Sequence, residues 1–291
     1  DLDLYAKSKT FVLKTGTEFN DLIPSTATSI IFTDEAMPVS ATLIDVDADG
    51  DGGVVAWMDE STMKISTQIK DIKVQANPDS RYMFDGKDNL NIIDLTMLDT
   101  SNVTSMSSMF YGCSRLTHLD LSPLNTQKVT DMSSMFADCS GLTTLDLSPL
   151  DTKKVTSMNF MFCNCSGLTA LDLTPLDTRN VTNMIGMFKK CDNLISLDLT
   201  PLDTKKVTNM VGMFMECDNL INLDLTPLDT SKVTTMYDMF VKCSKLTDLS
   251  LGNKFAFVGS DYRLPSGTWY ASDGTTYTSN GLACTIPNNK T

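Results

Sequence analysis

The chain has 291 residues, 42% of them apolar and 20% charged, enough apolar material for a sizeable core. Its net charge of −13 argues against nucleic acid or anionic lipid as a partner, because both draw basic surfaces. No apolar run approaches the ~18 residues that cross a bilayer, and no signal peptide or anchor is visible. Membrane insertion by this chain is not expected, and any export signal or anchor is expected to lie outside it.

Residues 1–82 alternate in strand-like fashion at Ser29 to Phe32, Val54 to Trp57 and Met63 to Thr67. They are expected to form an N-terminal α/β capping region. Within it, Asp45, Asp47, Asp49 and Asp51 with Gly50 resemble the start of a calcium loop. Counted from Asp45, the twelfth position holds Ala56 instead of a bidentate Glu, and no helix is evident on either side. An acidic turn between strands is the expectation, with no tight metal site.

From Met83 the pattern changes. Met-Phe begins at Met83, Met109, Met135, Met161, Met187, Met213 and Met239, always 26 residues apart. A second series, Leu116-x-x-Leu119-Asp120-Leu121, recurs at the same period as far as Leu225. Residues 83–251 are therefore a repeat array. In the stretch from Thr130 to Cys139, apolar residues at i, i+3, i+4 and i+7 predict a two-turn helix, with Thr130 as N-cap and Gly141 as a stop signal. Leu145-Asp146-Leu147 alternates like a half-buried strand, and Ser148 to Thr152 turns the chain. A unit this small cannot bury its own apolar face, so neighbours must stack. The predicted fold is an α/β repeat solenoid, leucine-rich-repeat-like, with parallel β rungs, short helices on the opposite side and mixed or β caps at both ends. The C-terminal cap is expected over 252–291, which is rich in Gly, Ser, Thr and aromatic residues.

The repeat also sorts the chemistry-bearing residues. Cys113, Cys139, Cys165, Cys191, Cys217 and Cys243 keep the period, which is neither a zinc nor a disulfide spacing, and a buried reduced ladder is expected. Cys163 and Cys284 fall outside it. The paired Met residues of each unit are read as core. Asp94, Asp120, Asp146, Asp172, Asp198 and Asp224 form a like-charged row that Ser or Thr two residues on could relieve, bound cations being the alternative. His118 is the sole histidine, so zinc and triad chemistry lack their materials. No cofactor and no catalytic site are expected.

The Met-Phe…Cys…Leu-x-x-Leu-Asp-Leu…Asp-Thr…Val-Thr-x-Met unit resembles the 26-residue repeat of the BspA-like leucine-rich repeat bacterial surface proteins, closely over residues 83–251. The stretch from Thr28 to Asp34, with Gly53 to Trp57, resembles the lead-in of that family. The resemblance implies export, surface display and adhesion or ligand binding, with no catalytic site to carry over. One departure is that Leu150, Leu176, Leu202 and Leu228 stand where an Asn or Cys usually follows the strand, so the usual Asn ladder is missing.

The leading expectation is thus a non-enzymatic module that binds an extracellular or host-surface protein. A structural spacer and a glycan-binding module are the alternatives. Near-identical rungs favour a spacer, and the strand face lacks an aromatic platform for sugars. The rungs diverge most at two positions four residues apart, which the helical reading places side by side. Early rungs are mostly small or polar there, whereas the later ones carry Ile185, Val211, Met215, Tyr237 and Val241. These five are the predicted partner-binding residues, unless the segment from Lys254 onward folds back over them.

Overall fold

The computed structural model describes residues 9–287, so the outermost parts of both expected caps, 1–8 and 288–291, lie outside the described residues. Thr15 opens α1 (Gly16–Leu22) with a capping box, its hydroxyl and backbone exchanging bonds with Glu18. The strands β1 (Ser29–Thr33), β2 (Ile44–Asp45), β3 (Val55–Asp59) and β4 (Thr62–Ser66) follow. After β5 (Val74–Gln75) the chain enters the repeats, where β6 (Ile92–Asp94) and β7 (Leu98–Asp99) lie. The main sheet runs β2-β3-β4-β1-β6, with β1 parallel to both β4 and β6. Parallel pairing of β5 with β7 adds a second seam between the N-terminal region and the first rung.

The short helices expected opposite the strands do not form. Among the described residues α1 is the only α-helix, and each Met-Phe segment is instead a run of consecutive turns. In one rung the N–H groups of Met109, Tyr111 and Cys113 close turns onto the carbonyls of Met106, Ser108 and Phe110. The intervening Met106, Ser108, Phe110 and Gly112 donate instead to Asp131, Ser133, Met135 and Ala137 of the next rung, at 2.8 to 3.0 Å. Such alternation requires a left-handed residue every fourth position. Ser108 and Gly112 (φ 55° and 70°) fill it here, Gly186 with Lys190 and Gly212 with Glu216 further along. A non-glycine residue pays roughly 1 kcal/mol to sit there, and the inter-rung bonds offset it. Thr130 and Gly141 accordingly have other roles. Thr130 donates its N–H and hydroxyl to the Thr104 carbonyl. Gly141 sits where a side chain would strike the carbonyls of Ser114 and Leu116.

The strand prediction is also only partly realised. On the Leu-x-x-Leu-Asp-Leu side, paired strand occurs at β6 and in the parallel pair β8 (Asn222–Asp224) with β9 (Asp248–Ser250). Elsewhere the leucines are buried without strand pairing, while parallel bridges link Asp79, Ser105, Asp131, Ser157, Asn183, Asn209 and Thr235 in file. The chain closes with the antiparallel hairpin of β10 (Gly267–Tyr270) and β11 (Thr276–Ser279).

Two ladders hold the rungs in register. Phe84, Phe110, Phe136, Phe162, Phe188, Phe214 and Phe240 stack nearly parallel, centroids 5.5 to 6.1 Å apart, an offset arrangement that aromatic quadrupoles favour. Phe19 meets one end of the file edge-on and Phe257 the other. The missing Asn ladder has a substitute in buried threonines. Thr100, Thr126, Thr152, Thr178 and Thr204 each accept an N–H from the next rung and donate to the C=O of that same residue, as in Thr152 with Asp177 (2.7 and 3.1 Å).

Candidate functional site

The run of turns aligns the divergent positions through backbone bonds between rungs. The carbonyls of Ile185, Val211 and Tyr237 accept from Phe160, Gly186 and Gly212 of the preceding rungs, and those of Met215 and Val241 from Lys190 and Glu216. The five side chains therefore belong to two adjacent files. Ile185, Val211, Met215 and Val241 are half-buried, while Tyr237 is 52% exposed. Glu216 sits among them, bridged to Lys190 (3.5 Å) and Lys242 (3.7 Å), so the apolar row has a charged rim.

The C-terminal segment does not lie over Tyr237. It continues the stack instead, Asp238 and Phe240 donating to Asp261 and Tyr262 as they would to another rung. Tyr262 then stacks on Phe257 at 3.9 Å, and its hydroxyl donates to the Ile286 carbonyl. A further apolar pair escaped the sequence reading. Ile195 and Ile221 are 58% and 39% exposed on adjacent rungs, at the position where Thr117, Thr143 and Thr169 stand earlier. The signal was present, since the same late rungs change from polar to apolar there too.

The remaining candidates are less suited to chemistry. All six ladder cysteines are buried and unpaired, and each thiol donates to the Phe carbonyl of the previous rung at 3.0 to 3.2 Å. Burial pushes the Cys139 and Cys243 thiols up to about 12, which leaves them protonated and poor nucleophiles. Cys163 is half-buried, and burial raises it to about 11. In the Asp row, each of Asp94 through Asp224 accepts the backbone N–H two residues on, at 2.8 to 2.9 Å. That bond, more than the Ser or Thr hydroxyl, holds Asp120, Asp146 and Asp198 below the usual carboxylate range. His118 is exposed and lines an open depression with Asp94 and Asp120.

Of the four acidic-loop residues, three come together. Asp47, Asp49 and Asp51 each present a carboxylate oxygen within 4.8 Å of the other two. Asp45 is not among them; its Oδ1 accepts from Lys14 Nζ (3.4 Å) and from the Asp47 N–H (3.1 Å). Asp47 is wholly buried, and that burial raises its carboxyl, whereas the Thr10 N–H lowers Asp51.

Among solved structures, a leucine-rich repeat protein of T. pallidum is similar over 60% of this chain and 71% of its own, at 20% identity and TM-score 0.39. One from Bacteroides ovatus is similar over 77% and 78%, at 14% identity and TM-score 0.37. One from Eubacterium ventriosum is similar over 74% and 91%, at 13% identity and TM-score 0.26. No curated protein matches. The family described as "Mycoplasma protein of unknown function, DUF285" matches residues 78–195 and 166–254. That match spans more than half of the chain and agrees with the BspA-like leucine-rich repeat resemblance of its 26-residue unit. The chain belongs to this family of repeat proteins.

Proposed function

We propose that this chain is an exported recognition module of a bacterial surface protein, a leucine-rich-repeat solenoid that binds a protein ligand without catalysis. Residues 83–251 are its repeats, with 1–82 and 252–291 as end caps. The observation that carries the reading is Tyr237, an aromatic side chain half exposed on a file whose earlier members are Ser107, Ser133 and Asn159. An exposed aromatic beside apolar neighbours and charged pairs has the composition of a protein contact, an apolar centre within a polar rim. Ile195 and Ile221 add a second exposed pair on late rungs. Open solenoid ends expose apolar surface, and the edge-on contacts of Phe19 and Phe257 support the cap assignment.

The test compares the chain with its Tyr237→Ala variant against immobilised extracellular-matrix proteins and glycans. The reading expects saturable binding to a protein, weakened at least about tenfold in the variant. Melting should shift by only about 1 °C, since the side chain is half exposed. Binding that the variant leaves intact would sink the assignment of this surface. The near-identical sequence of the rungs favours a spacer as second reading, and an absence of saturable binding to any protein would decide for it.

A further inference from the structure

We infer that Asp47, Asp49 and Asp51 form a binding site for a divalent cation of calcium's size. The first observation is the spacing, each carboxylate offering an oxygen within 4.8 Å of the others. Two oxygens that share a calcium ion at about 2.4 Å can stand no more than about 4.8 Å apart, so the spacing admits one, whereas magnesium demands near-octahedral ligands and gives up its waters reluctantly.

The second observation is independent of the clustering. Asp47 is 0% exposed, and its Oδ2 receives the N–H groups of Gly52 (2.8 Å) and Gly53 (3.1 Å). Its Oδ1 is buried with no N–H or hydroxyl to satisfy it, and the Asp51 carboxylate lies against the Asp47 side chain. A buried carboxylate oxygen left unsatisfied is costly and persists when a proton or a cation completes it. The nearby ammonium groups are engaged elsewhere. Lys14 donates to Asp45 and to the Asp47 carbonyl, and Lys9 to the Gly52 carbonyl.

The neighbouring carboxylates are held in place by their own bonds. Thr10 gives its N–H to Asp51 and its hydroxyl to Asp49, and the Asp51 N–H goes to Asp49. Each carboxylate oxygen so engaged keeps a lone pair for an ion. The register differs by two residues from the one read off the sequence. Counted from Asp47, Gly52 (φ 75°) takes the sixth place, where calcium loops need a glycine for the sharp turn. The twelfth residue is then Met58, so no bidentate carboxylate closes the ring. Exposed Asp49 leaves the open side to water. Affinity should fall in the range of extracellular modules, about 10⁻⁴ to 10⁻³ M.

The experiment is calorimetric titration of the full chain, stripped with chelator, alongside melting in 10 mM calcium, 10 mM magnesium or chelator. One saturable calcium site is expected, with melting raised by about 3 °C. Asp47→Asn should abolish both effects and melt no lower than the parent in chelator. Should that variant fold poorly, exposed Asp49→Asn carries the test, with calcium binding weakened at least tenfold. Asp120→Asn, on the exposed Asp row, should bind calcium like the parent. Equal melting in calcium and chelator would mean that a proton satisfies Asp47, and would overturn the proposal. So would calcium binding undiminished in Asp47→Asn or Asp49→Asn, loss of binding in Asp120→Asn, or an equal shift with magnesium.

Discussion

Replacing Thr152 with valine keeps the shape of the side chain and removes one buried hydroxyl. That hydroxyl accepts the N–H of Asp177 at 2.7 Å and donates to its carbonyl at 3.1 Å. No cavity opens, so the cost is that of orphaning an N–H and a C=O between two rungs, roughly 2–3 kcal/mol. With unfolding entropy of about 2.1 cal/mol/K per residue, this chain melts with about 0.6 kcal/mol/K, and the expected drop is about 4 °C. Thr156→Val is the matched control. Its exposed hydroxyl donates to the Thr130 carbonyl at 3.2 Å, which already receives the Thr156 N–H at 2.8 Å. Losing it should cost less than about 0.5 kcal/mol, a shift below about 1 °C. Calorimetric melting of the two variants beside the parent decides the matter. If Thr152→Val melts within 1 °C of the parent, or no lower than Thr156→Val, the threonine ladder does not hold the rungs together.

Two further outcomes are open to measurement. Native thiol titration should label at most Cys163 and Cys284, because the six ladder thiols are buried; rapid labelling of four or more would refute the cysteine core. Stability should fall on acidification below about pH 4. The folded-state values of Asp120, Asp146 and Asp198 are depressed by backbone N–H groups, so their contribution is present above the unfolded pKa of about 3.9 and lost as pH falls through the folded value. Asp47, Asp85 and Asp192, raised by burial, oppose this by gaining stability as they protonate. Melting between pH 5 and pH 2.5 should still decline, and less steeply in the triple Asp→Asn variant of the row. A flat profile would contradict the reading.

The sequence by itself determined the repeat, its period and which side chains face inward. Met106, Phe110, Cys113 and Leu119 recur unshifted at 26 residues, and only stacking can bury a stripe that each unit leaves open, whatever the local backbone does. That backbone was decided by tertiary contacts. Apolar spacing of i, i+3, i+4 and i+7 fits an α-helix, but it fits a run of consecutive turns as well, since each turn also brings residues three apart together. The left-handed positions that distinguish the two are held by Ser108, Asp138, Asn164, Lys190 and Glu216 as well as by glycines, so composition does not betray them. What selects the turns is the neighbouring rung, which supplies carbonyls for every second N–H, a partner that no isolated segment has. The acidic loop follows the same logic. Its four alternating aspartates were plain, yet Lys14 and the fold around Thr10 chose which three converge, because residues over 30 positions away in the chain supply those bonds.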